Sequence, residues 1–493
     1  MVEKKHTTEE LLEILKDYHI KSDEESLFGS DDDLNSGSEN ELQSSDDNTA
    51  SSEEEEPVHS EYLKKCLLPN ANESEAQWTQ NVVKREKVSF TGKSGIQIQL
   101  PPNITPIALF EHLFDRDVIM LMVLETNKYA QQYINKHHLS QHARMKTWKE
   151  VTENEMKKFI GIILLTGLIK LPKIEDYWKK DPLFFHPLFH HIQMSYNRFS
   201  LILKNWQFCD NKEATSGNKL YKVSKIMEML LSNIQKLYIP GEEVSIDESI
   251  ISHSTQLTLH QFNSVKCHRC GIKIYKLCDM SGYVWNMCVY SSLSKNKRPD
   301  LNYSGTVVVD LGEPLLNCGR LFVTDNRYSS IELASYLKAR NTEFCGILKS
   351  DKRNFPESLK TIKLKRGEMK SMSNSEGIRI FKYQDKKEIF MISTFHGNKM
   401  KTMTKSKQSG ETVTKPSVIV DCNRLKSSIR LSNQMIKYYS LARKSIKWYR
   451  KILFQYIGQT VLKSTRRRCP RINEYTEERV WKDCTEKMRF LLR

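Results

Sequence analysis

The sequence predicts an α/β fold: a mixed sheet preceded by a helical region and an acidic arm. Three observations lead there. Between residues 107 and 238 apolar side chains recur at helical spacing. Near residue 242 the period drops to two, with Glu243-Val-Ser-Ile-Asp247 and Gly271-Ile-Lys-Ile-Tyr-Lys-Leu-Cys-Asp279 both alternating. Residues 320–325, 329–340 and 345–349 then read as strand, helix and strand, the succession that builds parallel pairs into a mixed sheet.

Taken in order, residues 1–84 read as a largely disordered acidic arm. Residues 1–60 hold 4 Lys/Arg and 19 Asp/Glu, and residues 22–56 hold nine Ser and fourteen Asp/Glu with Phe28 as their only aromatic. Such a segment buries too little apolar surface to offset its ordering entropy. Residues 4–19 offer a short helix, with Leu11, Leu12, Ile14 and Leu15 on one side. Ser22, Ser30 and Ser52 precede acidic runs, either as phosphorylation sites or within an inert solvated tail.

Residues 96–241 form the first helical domain. Thr152-Glu-Asn-Glu155 is a capping box ahead of Met156, Phe159, Ile160, Ile163 and Leu164, and Pro172 ends that helix. Residues 198–208 and 223–237 are two further amphipathic helices. Residues 242–351 with 416–439 form the sheet core, in which a Met280-Ser281-Gly282 turn joins two strands into a hairpin. Residues 306–310 read as a helix end or an apolar connector. Residues 352–415, polar and rich in Lys and Ser, are expected as an insertion with short strands. Residues 417–421 are expected as another strand. Residues 440–493 form a basic C-terminal part, with a helix over residues 431–462.

Charge narrows the partners. The chain has 76 Lys/Arg against 60 Asp/Glu, net +16, so the residues after the net −15 arm carry +31. A body that basic meets a polyanion, most often nucleic acid, and the arm screens it. Membranes are excluded as partners, since no apolar run approaches the ~18–20 residues a bilayer requires. The longest candidate, residues 159–169, is interrupted by Gly161, Thr166 and Gly167, and the N-terminus lacks the apolar stretch of a signal peptide. Eleven scattered Cys suit a reducing compartment.

Two carboxylates close strands: Asp247 in Val-Ser-Ile-Asp-Glu and Asp325 in Leu-Phe-Val-Thr-Asp-Asn. Strand-end carboxylates can hold Mg²⁺, and two such ions about 4 Å apart carry phosphoryl transfer. Val244-Ser-Ile-Asp-Glu248, Cys270-Gly-Ile-Lys-Ile-Tyr-Lys-Leu-Cys-Asp279 and Phe322-Val-Thr-Asp-Asn-Arg-Tyr-Ser-Ser330 resemble the piggyBac transposase domain. So do residues 148–178 with their Lys-Leu-Pro-Lys-Ile-Glu-Asp-Tyr-Trp ending, and residues 198–211, 421–423, 433–435 and 446–451.

The resemblance covers roughly residues 100–460 in order. It implies a ribonuclease H-like core with an insertion, flanked by helical dimerisation and DNA-binding segments. It also implies three or four Asp holding two Mg²⁺ for cleavage at TTAA sites. Asp247 and Asp325 match the first two catalytic Asp. Counting from Asn423, the third position is Arg430 and the fourth Asn433, while the Gly pair before the third is Ser427-Ser428. Arg stays protonated and ligates no cation. The expected site is therefore inactive, with the Arg430 guanidinium against Asp247 or Asp325 in the metal's place. An active Mg²⁺-dependent transposase is the alternative, drawing its third carboxylate from Glu248 or Asp421. A decayed element without function is a third.

Cys267-His-Arg-Cys270, with His253 and His260 nearby, has half the spacing of a zinc site, but two loop thiols are the preferred reading. After residue 462 only Cys469 and Cys484 occur and no His, so the family's C-terminal zinc module is expected to be missing. No cofactor is expected, apart from Mg²⁺ if activity persists. Arg443, Lys444, Lys447, Arg450 and Lys451 recur at helical spacing between Tyr439, Trp448 and Tyr449, and are the expected phosphate contacts. Arg466, Arg467 and Arg468, with Lys463, form a nuclear localisation signal or a further contact. The expectation is a nuclear, homodimeric DNA-binding protein.

Overall fold

The computed structural model describes residues 78–80, 86–101, 104–213, 220–252, 260–262, 270–290, 298–404, 412–438, 440–441 and 447–465. The acidic arm, His253, Cys267, Tyr439, Arg443, Lys444, Arg466, Arg467, Arg468, Cys469 and Cys484 lie outside them, as do the side chains of His260 and Cys270.

Six helices come first: α1 (Pro106–Leu113), α2 (Arg116–Lys136), α3 (Glu153–Leu168), α4 (Pro187–His191), α5 (Tyr196–Asn205) and α6 (Tyr221–Leu237). Asp115 caps α2 by accepting from Val118 N, Thr152 caps α3 through Glu155 N, and Ser195 caps α5 through Arg198 N. These side chains satisfy amide donors that the first helical turn leaves free. Phe159, Phe199, Trp206 and Phe208 are fully or almost fully buried and join the helices into one core.

A short β1 (Gly95–Ile96) pairs with β2 (Tyr238–Ile239), and the central sheet begins at β3 (Glu243–Ser252). Strands β4 (His260–Phe262), β5 (Cys270–Asp279), β6 (Val284–Val289), β7 (Leu321–Thr324) and β8 (Glu343–Leu348) follow, with α7 (Tyr303–Gly312) and α8 (Ile331–Lys338) between them. After α9 (Glu357–Thr361) come β9 (Met369–Ser373), β10 (Arg379–Gln384) and β11 (Glu388–Ser393). A separate ribbon, β12 (Met400–Thr404) with β13 (Thr412–Pro416), leads into α10 (Ser417–Tyr438) and then α11 (Trp448–Thr465).

The nine-stranded sheet runs β4-β5-β3-β7-β8-β11-β10-β9, with β6 also on β5. β3 is parallel to β7 and β7 to β8, whereas β5 lies antiparallel to β3. This is the mixed, ribonuclease H-like sheet that the motifs imply. Val244, Ile246 and Leu277 bury one face against Val307, Val308, Leu333 and Leu337. Helix α10 packs on β3, β5 and β7 from the other.

Three expectations are corrected. Residues 417–421 are the first turns of α10 rather than a strand. Val-Ile-Val is too short a run to show its period, and the stripe Val418, Cys422, Leu425 and Ile429 buries at helical spacing instead. Burying each large aliphatic of that stripe is worth about 1.5–3 kcal/mol, more than the small helix-propensity penalty of β-branched residues. The polar stretch read as an insertion also supplies β9, β10 and β11, and β11 pairs directly with β8, so these strands extend the central sheet. The helix expected over residues 431–462 divides between α10 and α11.

Candidate functional site

Register brings the two strand-end carboxylates together. Ile246 pairs with Thr324 across the parallel β3–β7 ladder, so Asp247 and Asp325 follow side by side on the sheet face that α10 covers. The turn after β7 is held by its own backbone: Asp325 O accepts from Tyr328 N at 3.1 Å and Ser329 N at 3.2 Å. Ser329 Oγ lies 2.9 Å from Thr324 Oγ1, in space that Gly346 of β8 leaves open. A Cβ at Gly346 would stand 2.1 Å from that hydroxyl.

Helix α10 closes over the pair. The Ser428 and Ser245 hydroxyls share a hydrogen bond of 2.6 Å, fixing the helix to β3. Two ammonium groups then enter the site. Lys426 Nζ forms an ion pair with Asp325 Oδ1, and its side chain is 16% exposed against 39% for the Asp. Lys276, at 0% exposure, is the register partner of Asp247 on β5 and donates to Asn433 Oδ1 at 2.9 Å.

The expected pairing of Arg430 is corrected. Arg430 is exposed, and the cation against Asp325 is Lys426, one turn earlier on the same flank. At about 100° per residue, Lys426 lies nearer the buried stripe and meets the carboxylate first. The signal for Lys426 was present in the sequence: once residues 417–438 are helical, 426, 430 and 433 fall at i, i+4 and i+7 on one flank.

Neither alternative carboxylate reaches this flank. Asp421 precedes Arg430 by nine residues, about 180° around a helix. Its oxygens accept from Lys401 Nζ, both at 2.9 Å, and from His396 Nε2 at 3.3 Å. Glu248 alternates to the opposite sheet face, where Tyr328 OH donates to it at 2.5 Å and Arg327 stands 3.9 Å away. Among the described residues no three His, Cys, Asp or Glu side chains form a metal-binding group. Two carboxylates, one bearing an ammonium, do not fit a pair of Mg²⁺ ions, which take oxygen ligands.

His396 links the start of α10 to the sheet. Its Nδ1 is 2.8 Å from Ser393 Oγ, and because an ionised carboxylate only accepts, Nε2 carries the proton toward Asp421. Burial pushes the His396 pKa down to about 4 from 6.5, helped by Lys401 and Lys87 and opposed by Asp421. The folded state therefore holds the ring neutral, while the unfolded chain takes up a proton near pH 6.5. Stability is complete above that pH and falls as pH drops through the window to about 4, by about 3 kcal/mol at most. Urea unfolding at pH 7 and pH 4.5 should show this loss, and His396→Gln should flatten it.

Among the expected phosphate contacts, Arg450 is corrected. Arg450 is 6% exposed and donates through Nη2 to Leu203 O and Lys204 O at the C-terminus of α5. Lys447 Nζ joins it on Lys204 O at 3.0 Å, and Lys451 is half-buried. Cations suit a helix C-terminus, where carbonyls lack intrahelical partners. The aromatics do pack inward, with Tyr449 buried and Trp448 against the same core. The basic spacing misled because Ile452, Leu453, Phe454, Tyr456 and Ile457 bury α11 on most sides, so there is no broad solvated face.

Adjacent Asp residues on parallel strands of a mixed sheet, covered by a helix from later in the chain, are the arrangement of a ribonuclease H-like core. The transposase family model described as Transposase IS4 matches residues 105–462, and the chain belongs to this family, within its piggyBac-like members. It is 26% identical over 393 residues to PiggyBac transposable element-derived protein 2 of Homo sapiens, covering 76% of this chain and 63% of the relative. PiggyBac transposable element-derived protein 3 of Homo sapiens is 26% identical over 266 residues, covering 52% of this chain and 42% of the relative. The chain thus spans less than two thirds of the length of either. A cryo-EM structure of the piggyBac transposase synaptic complex with hairpin DNA superposes with a TM-score of 0.65 at 19% identity, covering 81% of this chain and 84% of that one.

Proposed function

We propose that this chain is a piggyBac transposase-derived protein that binds DNA in the nucleus as a homodimer and no longer transfers strands. The observation that carries the loss of chemistry is the Lys426 ammonium on Asp325, with Arg430 and Asn433 at the positions of the third and fourth acids. DNA as partner is supported by the +31 charge after the acidic arm and by the hairpin DNA bound in the piggyBac transposase complex whose fold this chain shares. The acidic arm limits nonspecific contact. The alternative, an active enzyme cutting TTAA sites, keeps Asp247 and Asp325 in register but lacks a third carboxylate on the α10 flank.

Titration of a TTAA-containing duplex tests both halves. Affinity should fall steeply as salt rises, because each phosphate contact releases condensed counterion. The same duplex should stay intact with Mg²⁺ or Mn²⁺. Salt-independent affinity would sink the electrostatic half, and nicking abolished by Asp247→Ala would establish the enzyme.

A further inference from the structure

We propose that the former metal site has become a metal-free phosphodiester-binding site, with Arg430 as the contact group and Lys426 as its internal counter-ion. The proposal rests on the DNA-binding reading above and says where a backbone phosphate sits. In a two-metal site the cations neutralise the Asp residues and bridge them to phosphate oxygens. Here Lys426 neutralises Asp325 from within the fold, and Lys276 lies opposite Asp247 in register. Asp325 then no longer repels an incoming phosphate.

The outward stripe of α10 supplies the attraction. Asn423, Ser427, Arg430, Gln434 and Lys437 are exposed at i, i+4, i+7, i+11 and i+14. After Asp421 the sequence contains no Asp or Glu until Glu474, so no acid interrupts this stripe. Arg430 and Lys437 are seven residues apart, about 10 Å along the helix, roughly three nucleotide steps of one strand at 3.4 Å rise. Arg430 sits at the rim of the flank that holds Lys426 and Asn433, where a planar five-donor guanidinium can grip a phosphate bidentately.

Fluorescence anisotropy of a labelled duplex with the full-length protein tests this, in EDTA and in Mg²⁺. Arg430→Ala should weaken binding about fivefold at about 0.15 M salt and lower the log–log salt slope by about one, equally on scrambled sequence. Arg430→Lys should restore most of the slope, and Lys386→Ala, on the distant β10–β11 turn, should leave both values unchanged. EDTA should not reduce wild-type affinity. Wild-type slope in Arg430→Ala, or affinity lost on chelation, would overturn the proposal while leaving DNA binding standing. Absence of duplex binding by the wild type would overturn the DNA-binding reading itself.

Discussion

The variant Lys426→Met, Arg430→Asp, Asn433→Asp is expected to bind Mn²⁺ at least about tenfold more tightly than the wild type, a gain of about 1.4 kcal/mol. It removes the ammonium from Asp325, turns a cation into a carboxylate at 430 and adds a second carboxylate at 433. These three positions share one flank of α10 beside the Asp247–Asp325 pair, with 426 innermost and 430 at its solvent rim. Lys276 loses its Asn433 amide acceptor and gains a carboxylate in its place, which holds part of the new charge back from the ion. Cleavage should stay near background. The Gly pair expected before the third acid is Ser427-Ser428, and the Ser428–Ser245 hydrogen bond fixes the helix height over β3. Calorimetric titration of both proteins with Mn²⁺ checks the gain. Equal affinities would show that Lys426 and Arg430 are not what keeps ions out.

Arg450→Ala should destabilise the fold by about 3 kcal/mol in urea unfolding, since it strips two carbonyls at the end of α5 of a charged donor inside the core. Arg450→Met should cost less, because it keeps most of the packing and removes the buried charge together with its hydrogen bonds. Neither change should alter the salt slope of duplex binding. A lowered slope in folded Arg450→Met would return this residue to the DNA interface.

Much of this architecture was legible in the sequence, and the exceptions share a cause. The β5–β6 hairpin, the β7-α8-β8 succession and the capped helix α3 follow from local period and from side chains that bond their own neighbours. What sequence pattern left open depends on the faces that meet in three dimensions. Whether Val418, Ile419 and Val420 belong to a strand or a helix is decided by the sheet beneath them. Whether Arg450 meets a phosphate or a helix end is decided by α5, which lies more than 240 residues earlier in the chain. The register that sets Asp247 beside Asp325 was suggested by family motifs alone, since alternation within each strand does not say which strands pair. The family motif marks position 430 and says nothing of Lys426. A charged side chain one turn away on the same flank competes for the same carboxylate.

The central claim is that Asp325 is held by a lysine where the family resemblance implies a metal. Electron paramagnetic resonance of free Mn²⁺ added to the wild-type protein, alongside Asp325→Asn, tests it most directly. The expected result is no difference between the two proteins up to millimolar ion, with no Mn²⁺ taken up at this site. One or two Mn²⁺ bound per chain by the wild type, and released by Asp325→Asn, would contradict the account.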